Sequence, residues 1–309
     1  MRQVQDADLK LLRTFIAIVR SGGFTAAQPV LGLGASAISE SMSSLEARLG
    51  VRLCERGRAG FRLTEDGRAV FDAAQRLLSG VEEFCLDVSS LAQTLKGELR
   101  LGLIDSTLTN QSSPLKTAIQ KFSRRSDQLR IHIEINPPFT LEQDVLEGRL
   151  HLAVAPSPQR IRGLDYLQLM HEEHGLFCGQ EHLLFESSGL TLEDIQQCRV
   201  ISRGYLHGRD LKLVKAKSAE AVADNVEARL MLLLTGEYIG FLPCHFADKW
   251  VGTGHLRRLL PDKIGYSVPF YLIRRSGDSR LRSLSVFVQD VFDSLPDAKK
   301  PTNSFRKPT

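Results

Sequence analysis

Four arginines lie close together at Arg52, Arg56, Arg58 and Arg62, just after a helix-compatible run with Ser36, Ser39, Glu40 and Ser43 on one face. Guanidinium forks hold phosphates, and short hydroxyl side chains let a helix come close to another surface. These residues suit contact with a nucleic acid better than the making of bonds. Other reactive residues are sparse. His171-Glu172-Glu173-His174 sets two histidines three apart beside acids, a candidate metal pair, but the segment reads as a loop with no third ligand. Cys244 and His245 are adjacent, and neighbouring side chains on a helix diverge, which argues against a thiol–imidazole pair. The chain contains no G-x-S-x-G elbow, P-loop or G-x-G-x-x-G turn. The expectation is a binding protein and not an enzyme, with no cofactor and no metal.

The elements that must position these residues can be read from periodicity. A helix is expected over Ala35–Leu49, with Ile38, Met42, Leu45 and Leu49 facing inward and Gly50 ending it. Residues 51–53 and 60–63 read as two strands around a basic turn at 55–59. Leu9, Leu12, Phe15, Ile16 and Val19 mark an earlier amphipathic helix, ended by Ser21-Gly22-Gly23. The next helix starts at Phe24, which places Thr25 in its first turn, where free N–H groups can take a phosphate. Pro29 is expected to kink that helix or end it after Gln28. This is the grammar of a winged helix-turn-helix, with Thr25, Ala35, Ser36, Ser39, Glu40, Ser43 and the four arginines as candidate DNA contacts.

Thr64 is placed to cap a long helix that opens with Glu65 and Asp66. Along it Val70, Ala74, Leu77, Val81, Phe84, Val88, Leu91 and Leu95 recur in alternating steps of four and three. Such a narrow seam predicts pairing with a second copy, and two-fold pairing suits a palindromic site in double-stranded DNA. Gly97 ends the helix.

Beyond it strands alternate with helices, predicting an α/β domain with a largely parallel sheet. Strands are expected at 99–104, 130–135, 151–155, 175–178, 199–202, 238–242 and 267–273. Helices are expected from Ser113-Pro114, from a capping box at Thr140-Leu141-Glu142-Gln143, from a second box at 191–194, over 222–234 and over 279–295. Ligands favour strand ends beside helix N-termini, which singles out Asp105-Ser106-Thr107-Leu108-Thr109 and Ser202-Arg203. These groups suit a small polar or anionic molecule. Phe139 and Pro243 could wall the same cleft, with core packing as the plainer reading.

The 309 residues allow two or three domains, and a net charge of +4 is too weak to imply nucleic acid by itself. The opening MRQVQDADLK has no apolar core, so no signal peptide is expected. Five scattered cysteines, without a C-x-x-C pair, fit a reducing cytoplasm.

The pattern FTxAxxxLxxxxSAxS, then LExxLGxxLxxR, then LTxxG resembles the LysR-type transcriptional regulator family. It is carried by Phe24-Thr25, Ala27, Leu31, Ser36-Ala37-Ile38-Ser39, Leu45-Glu46, Leu49-Gly50, Leu53, Arg56, Leu63-Thr64 and Gly67. The resemblance implies a winged helix-turn-helix over residues 1–63, a linker and dimerisation helix over 64–96, and a periplasmic-binding-protein-like effector domain over 97–297. That domain would have one lobe at 97–165 plus 270–297 and another at 166–269, with crossovers near 164–168 and 265–270 and a disordered tail at 298–309. The resemblance further implies an antiparallel linker pair, a tetramer of two dimers, a small effector in the cleft lined by Ser106 and Ser202, and, for a regulator, RNA polymerase as a partner. Gly34, Ala35, Glu40 and His151 depart from the residues usual in the family. The alternative function is an oligomeric small-molecule sensor whose DNA head has weakened through Pro29, Ala35 and Glu40. A periplasmic-type binding protein is a further rival that the preceding head disfavours.

Overall fold

A computed structural model describes residues 6–57, 60–91, 97–157, 160–205, 207–277 and 282–295. The chain divides into two compact units that part near Val88.

The first unit opens with α1 (Asp6–Arg20), α2 (Phe24–Leu31) and α3 (Ala35–Leu49). The hairpin β1 (Cys54–Gly57) and β2 (Gly60–Leu63) follows, then α4 (Glu65–Leu91). Phe15, Ile18, Ile38, Met42, Leu45 and Leu53 are buried together and hold α1, α3 and the hairpin around one core. Phe15 meets Phe71 edge-on at 6.1 Å and Phe24 meets Phe61 at 5.9 Å, which joins the long helix and the hairpin to that core. The Glu46 carboxylate accepts the N–H groups of Leu53 and Cys54 at 2.7 and 3.3 Å. Those bonds hold residues 51–53 out of the ladder, so the first strand begins at Cys54 and not at Val51. Thr64 caps α4 as expected, its hydroxyl accepting from Gly67 N–H at 2.8 Å. A Cβ at Gly67 would sit 1.9 Å from the Leu53 carbonyl oxygen, so only glycine fits there.

Two expectations for this unit are corrected. Pro29 does not end its helix, which continues to Leu31. Pro29 lies on an exposed turn, where a lost hydrogen bond costs least, and Gly32, left-handed at φ 63°, closes the helix by donating to Gln28. Leu49 does not face inward. It is 45% exposed, because α3 finishes at this residue and Gly50 turns the chain away.

The second unit carries β3 (Gly97–Leu103), a 3-10 turn (Thr107–Thr109), α5 (Leu115–Ser123), β4 (Leu129–Ile135), α6 (Pro138–Leu146) and β5 (Leu152–Pro156). Next come β6 (Leu164–Gly179), α7 (Leu192–Gln196), β7 (Val200–Ser202), α8 (His207–Val214), β8 (Ala221–Val222) and α9 (Val226–Leu234). The unit closes with β9 (Ile239–Pro243), α10 (Cys244–Gly252), β10 (Leu256–Leu259), β11 (Gly265–Arg275) and α11 (Arg282–Phe292). The strands form one sheet in the order β4-β3-β5-β11-β6-β9-β7-β8, with β10 on β6.

The expected largely parallel sheet is therefore one continuous mixed sheet. The lobe strands β3, β4 and β5 pair in parallel, as do β7 with β8 and β9. The crossover strands β6 and β11 run antiparallel to each other and to β5 and β9. Their register shifts between Phe270 and Tyr271, a bulge at the point where the sheet passes from one lobe to the other. Each lobe keeps its own core, with Leu141, Val145 and Ile273 in one and Phe177, Leu230 and Leu242 in the other.

Local boundaries shift for identifiable reasons. Pro138, not Thr140, opens α6, because proline suits the first helical position. Pro114 precedes α5 as its N-cap. The helix expected from Val222 starts at Val226, capped by Asn225, whose side chain accepts from Glu227 and Ala228 N–H, while Ala221-Val222 pairs with β7. The capping box at Thr191 and Asp194 forms as expected. The 171–174 segment is strand, not loop. The tail at 298–309 lies outside the described residues.

Candidate functional site

The first unit presents one polar face. Ile38, Met42 and Leu45 bury one side of α3, which turns Ala35, Ser36, Glu40 and Ser43 outward, with Ser39 half-buried. Thr25 is exposed in the first turn of α2. Arg52 and Arg62 flank the hairpin and are exposed; the Arg56 side chain and Arg58 lie outside the described residues. Hydroxyls, a carboxylate and two described guanidiniums on a head this small can meet base edges and phosphates.

On α4 the heptad residues divide. Ala74 is buried in the head core and Val70 packs against it, so these two are covered within the unit. Leu77 is 38% exposed and Phe84 67% exposed, with Val81 half-buried between them. The side chains of Val88 and Leu91, and Leu95 entirely, lie outside the described residues.

The second unit contains a cleft at the carboxyl end of β3. Ile104, Asp105, Ile135, Asn136, Pro137 and Tyr205 line most of a cavity of about 110 Å³. A tighter space of about 10 Å³ adjoins it, sharing Ile104, Asp105 and Tyr205 and adding Ser106, Glu172, His174, Arg203, Arg229 and Pro243 among its walls. Ser106 is held left-handed at φ 59°, a conformation uncommon for a residue with a side chain.

Of the sequence candidates, Ser106, Arg203 and Pro243 reach this cleft. Thr107 turns its hydroxyl to the Ile104 carbonyl at 2.6 Å, the capping role. Thr109 donates to the Ser106 carbonyl and lies 2.8 Å from His245 Nδ1. Phe139 is 66% exposed and lines neither space. Ser202 is buried, and its hydroxyl has no hydrogen-bond partner among the described residues. Arg203 is buried and fixed, donating Nε and Nη2 to Asp210 at 3.0 and 2.7 Å and also reaching the Tyr266 hydroxyl.

Of the other cleft residues, Asp105 is a sequence candidate, Glu172 and His174 are read only as part of a candidate metal pair, and Arg229 is not singled out. Glu172 and His174 alternate inward on β6, while His171 and Glu173 are exposed, so the two histidines of this segment do not converge. Among the described residues no group of three metal-ligating side chains meets. The His174 ring stacks on Tyr266 at 5.0 Å, and its Nε2 donates to Glu172 at 2.9 Å. Burial lowers His174 to about 4, leaving the ring neutral at pH 7. Burial pushes Glu172 up, but hydrogen bonds from His174 and His245 outweigh it and hold the carboxyl at about 2. Arg229 extends from α9 and donates Nη1 to the Phe241 carbonyl at 2.8 Å. Asp105 accepts the Val226 N–H, and burial raises its pKa despite that bond. The period-two pattern of residues 171–174 carried the signal for Glu172 and His174, whereas nothing local marks Arg229.

Comparison with known proteins agrees with both units. Residues 9–68 match the family described as bacterial regulatory helix-turn-helix protein, lysR family, and residues 92–295 match the LysR substrate binding domain. The HTH-type transcriptional activator BauR of Pseudomonas aeruginosa is 39% identical over 94% of this chain and 96% of its own length. The crystal structure of CbnR, a LysR family transcriptional regulator, is similar with a TM-score of 0.65 at 21% identity, covering 94% of this chain and 99% of CbnR. Full-length CbnR complexed with its target DNA gives a TM-score of 0.64 at 20% identity, over 93% of this chain and 99% of that one. An outward polar helix beside an arginine-flanked hairpin, joined in one chain to a cleft-bearing α/β unit, thus belongs to the LysR family of transcriptional regulators, with a helix-turn-helix DNA-binding domain and an effector-binding domain.

Proposed function

We propose that this regulator reads duplex DNA through the outward face of α3, with Ser36, Glu40 and Ser43 at base edges and Arg52 and Arg62 on phosphates. The observation that carries this reading is the exposed row of small polar residues on a helix whose other side buries Ile38, Met42 and Leu45. Glu40 suits the amine of a cytosine and repels phosphates, so it restricts the sites accepted more than it adds affinity. Thr25, at the start of α2, adds a phosphate contact.

Pairing through Leu77, Val81 and Phe84 supplies two heads for a two-fold site, and two such dimers make a tetramer. A small effector in the cleft of the second unit favours one arrangement of the lobes and so changes how the heads are held. It can do so only by binding that arrangement more tightly. The relative BauR is named a transcriptional activator, which supports activation as the output, with RNA polymerase as the partner in a cytoplasmic setting. The domain limits follow the same division: a DNA-binding domain over 1–63, a dimerisation helix over 64–96 and an effector-binding domain over 97–297.

The test is a gel-shift titration against salt on a DNA site selected from random sequence. Each phosphate contact contributes about 0.9 to the slope of log affinity against log salt. Arg52→Ala and Arg62→Ala in the dimer should each lower that slope by roughly two, one contact per head. Glu40→Arg should raise affinity for all sequences while blurring the preference. Slopes unchanged by both arginine substitutions would refute the phosphate assignment.

A further inference from the structure

The hydrogen-bonding groups around the cleft are unevenly satisfied: His174 Nδ1, Ser202 Oγ and Arg229 Nε are buried with no hydrogen-bond partner among the described residues. Arg203 gives two bonds to Asp210 and one to Tyr266, and Tyr266 itself donates to Asp210 at 2.9 Å. Through Nε and Nη2 that guanidinium is held within the protein. Arg229 directs Nη1 to the Phe241 carbonyl, while its Nε is buried with no partner among the described residues. On the other side, Asp105 accepts only through Oδ2, from Val226 N–H, and no described residue donates to Oδ1. Because His174 Nε2 donates to Glu172, the neutral ring presents a bare lone pair at Nδ1, buried and without a donor. Three carboxylates, Asp105, Asp224 and Glu172, line the two spaces with two guanidiniums, Arg203 and Arg229. Burial raises the Asp105 pKa, as expected of a carboxyl group short of donors.

We propose that the cleft takes a compact molecule carrying a protonated amine, its ammonium lying beside Asp105 and His174. This deepens the effector reading above and rests on it. Asp105 lines both adjoining spaces, so a group at its Oδ1 can leave an alkyl stem in the larger one against Ile104, Ile135 and Pro137. At about 110 Å³ that space accommodates a short alkyl stem. An ammonium supplies three donors and no acceptor, the complement of an unpaired carboxylate oxygen and an unpaired imidazole nitrogen. The sequence reading of a small polar or anionic effector rests on hydroxyls, free backbone N–H groups and Arg203, and of these Arg203 is already paired with Asp210.

The test compares butylamine with butyrate, which match in size and differ in sign, by calorimetry on the full-length protein. Butylamine should bind at least tenfold more tightly. Asp105→Asn keeps an oxygen for Val226 N–H and removes the charge, so it should weaken butylamine by about tenfold to a hundredfold. A second readout needs no variant: the ¹⁵N resonance of His174 Nδ1 should move as butylamine is added. Butyrate binding as tightly as butylamine, or butylamine failing to bind or to move that resonance, overturns the amine assignment. The effector reading is judged separately. It falls only if a broad set of small metabolites leaves both the thermal unfolding of the second unit and the gel shift unchanged.

Discussion

Lowering the pH from 7 to 5 should destabilise the effector-binding unit by about 4 kcal/mol through two buried histidines. His151 is held at about 3, first by burial and then by Arg100 and Arg275. His174 is held at about 4, first by burial; Arg203 and Arg229 act in the same direction and Glu172 opposes them. Both start from an ordinary value of 6.5 in the unfolded chain. A histidine depressed on folding contributes stability that is complete above the unfolded pKa. It is lost as the pH falls, because the unfolded chain takes up a proton that the folded chain refuses. At pH 5 the unfolded rings are almost wholly charged and the folded rings almost wholly neutral, so each ring loses about 2 kcal/mol relative to pH 7. Glu172, held at about 2, adds its own loss only below the ordinary carboxylate range, and the raised Asp105 acts in the opposite direction.

The protein has one tryptophan, Trp250 on α10, so its fluorescence reports the second unit alone in a urea titration. Asn at position 151 cannot titrate and can still accept the Arg100 N–H that His151 Nδ1 takes at 3.1 Å. In His151→Asn the loss between pH 7 and pH 5 should shrink by about 2 kcal/mol, whatever the variant does to stability at pH 7. An unchanged loss, or a His151 resonance that titrates near 6.5, would refute the reasoning.

Gly67→Ala should cost about 2–4 kcal/mol in the head, seen as a lower melting temperature and weaker DNA binding, because its Cβ would fall 1.9 Å from the Leu53 carbonyl oxygen. Leu77→Glu with Phe84→Glu should convert dimers to monomers at micromolar concentration by analytical ultracentrifugation; dimers that persist would place the interface elsewhere. Arg203→Met should cost about 3–5 kcal/mol by leaving Asp210 buried and unpaired, and adding Asp210→Leu should recover part of it; a double variant less stable than the single would contradict that reading.

The head was legible because its rules act over short distances. Gly50 and Thr64 act within one turn of the residues they serve, so their types and spacing already carry the structure. Where reading failed there, a longer contact intervened, as when Glu46 captured the amides of Leu53 and Cys54 and moved the strand. The heptad run shows the same limit. Its spacing identifies one face of α4 but cannot say that Val70 and Ala74 meet the head core while Leu77 and Phe84 remain uncovered. In the α/β unit the alternation of strands and helices was visible. The antiparallel course of β6 and β11 was not, because it follows from both strands crossing between lobes.

The cleft was harder to read because its polarity depends on pairs distant in sequence. Arg203 looks like an anion binder until Asp210 and Tyr266 are seen to hold it. Asp105 looks like a helix-capping acid, and it does accept the amide of Val226, 121 residues away, while its second oxygen stays open to the cavity. Glu172 is matched by His174 and His245, and matching it removes the donor that His174 would otherwise share. A residue's charge therefore predicts what a site will bind only after its internal partners are subtracted. In this cleft the subtraction leaves a carboxylate oxygen and an imidazole lone pair as acceptors beside one buried donor, Arg229 Nε, and the proposed ammonium answers the two acceptors.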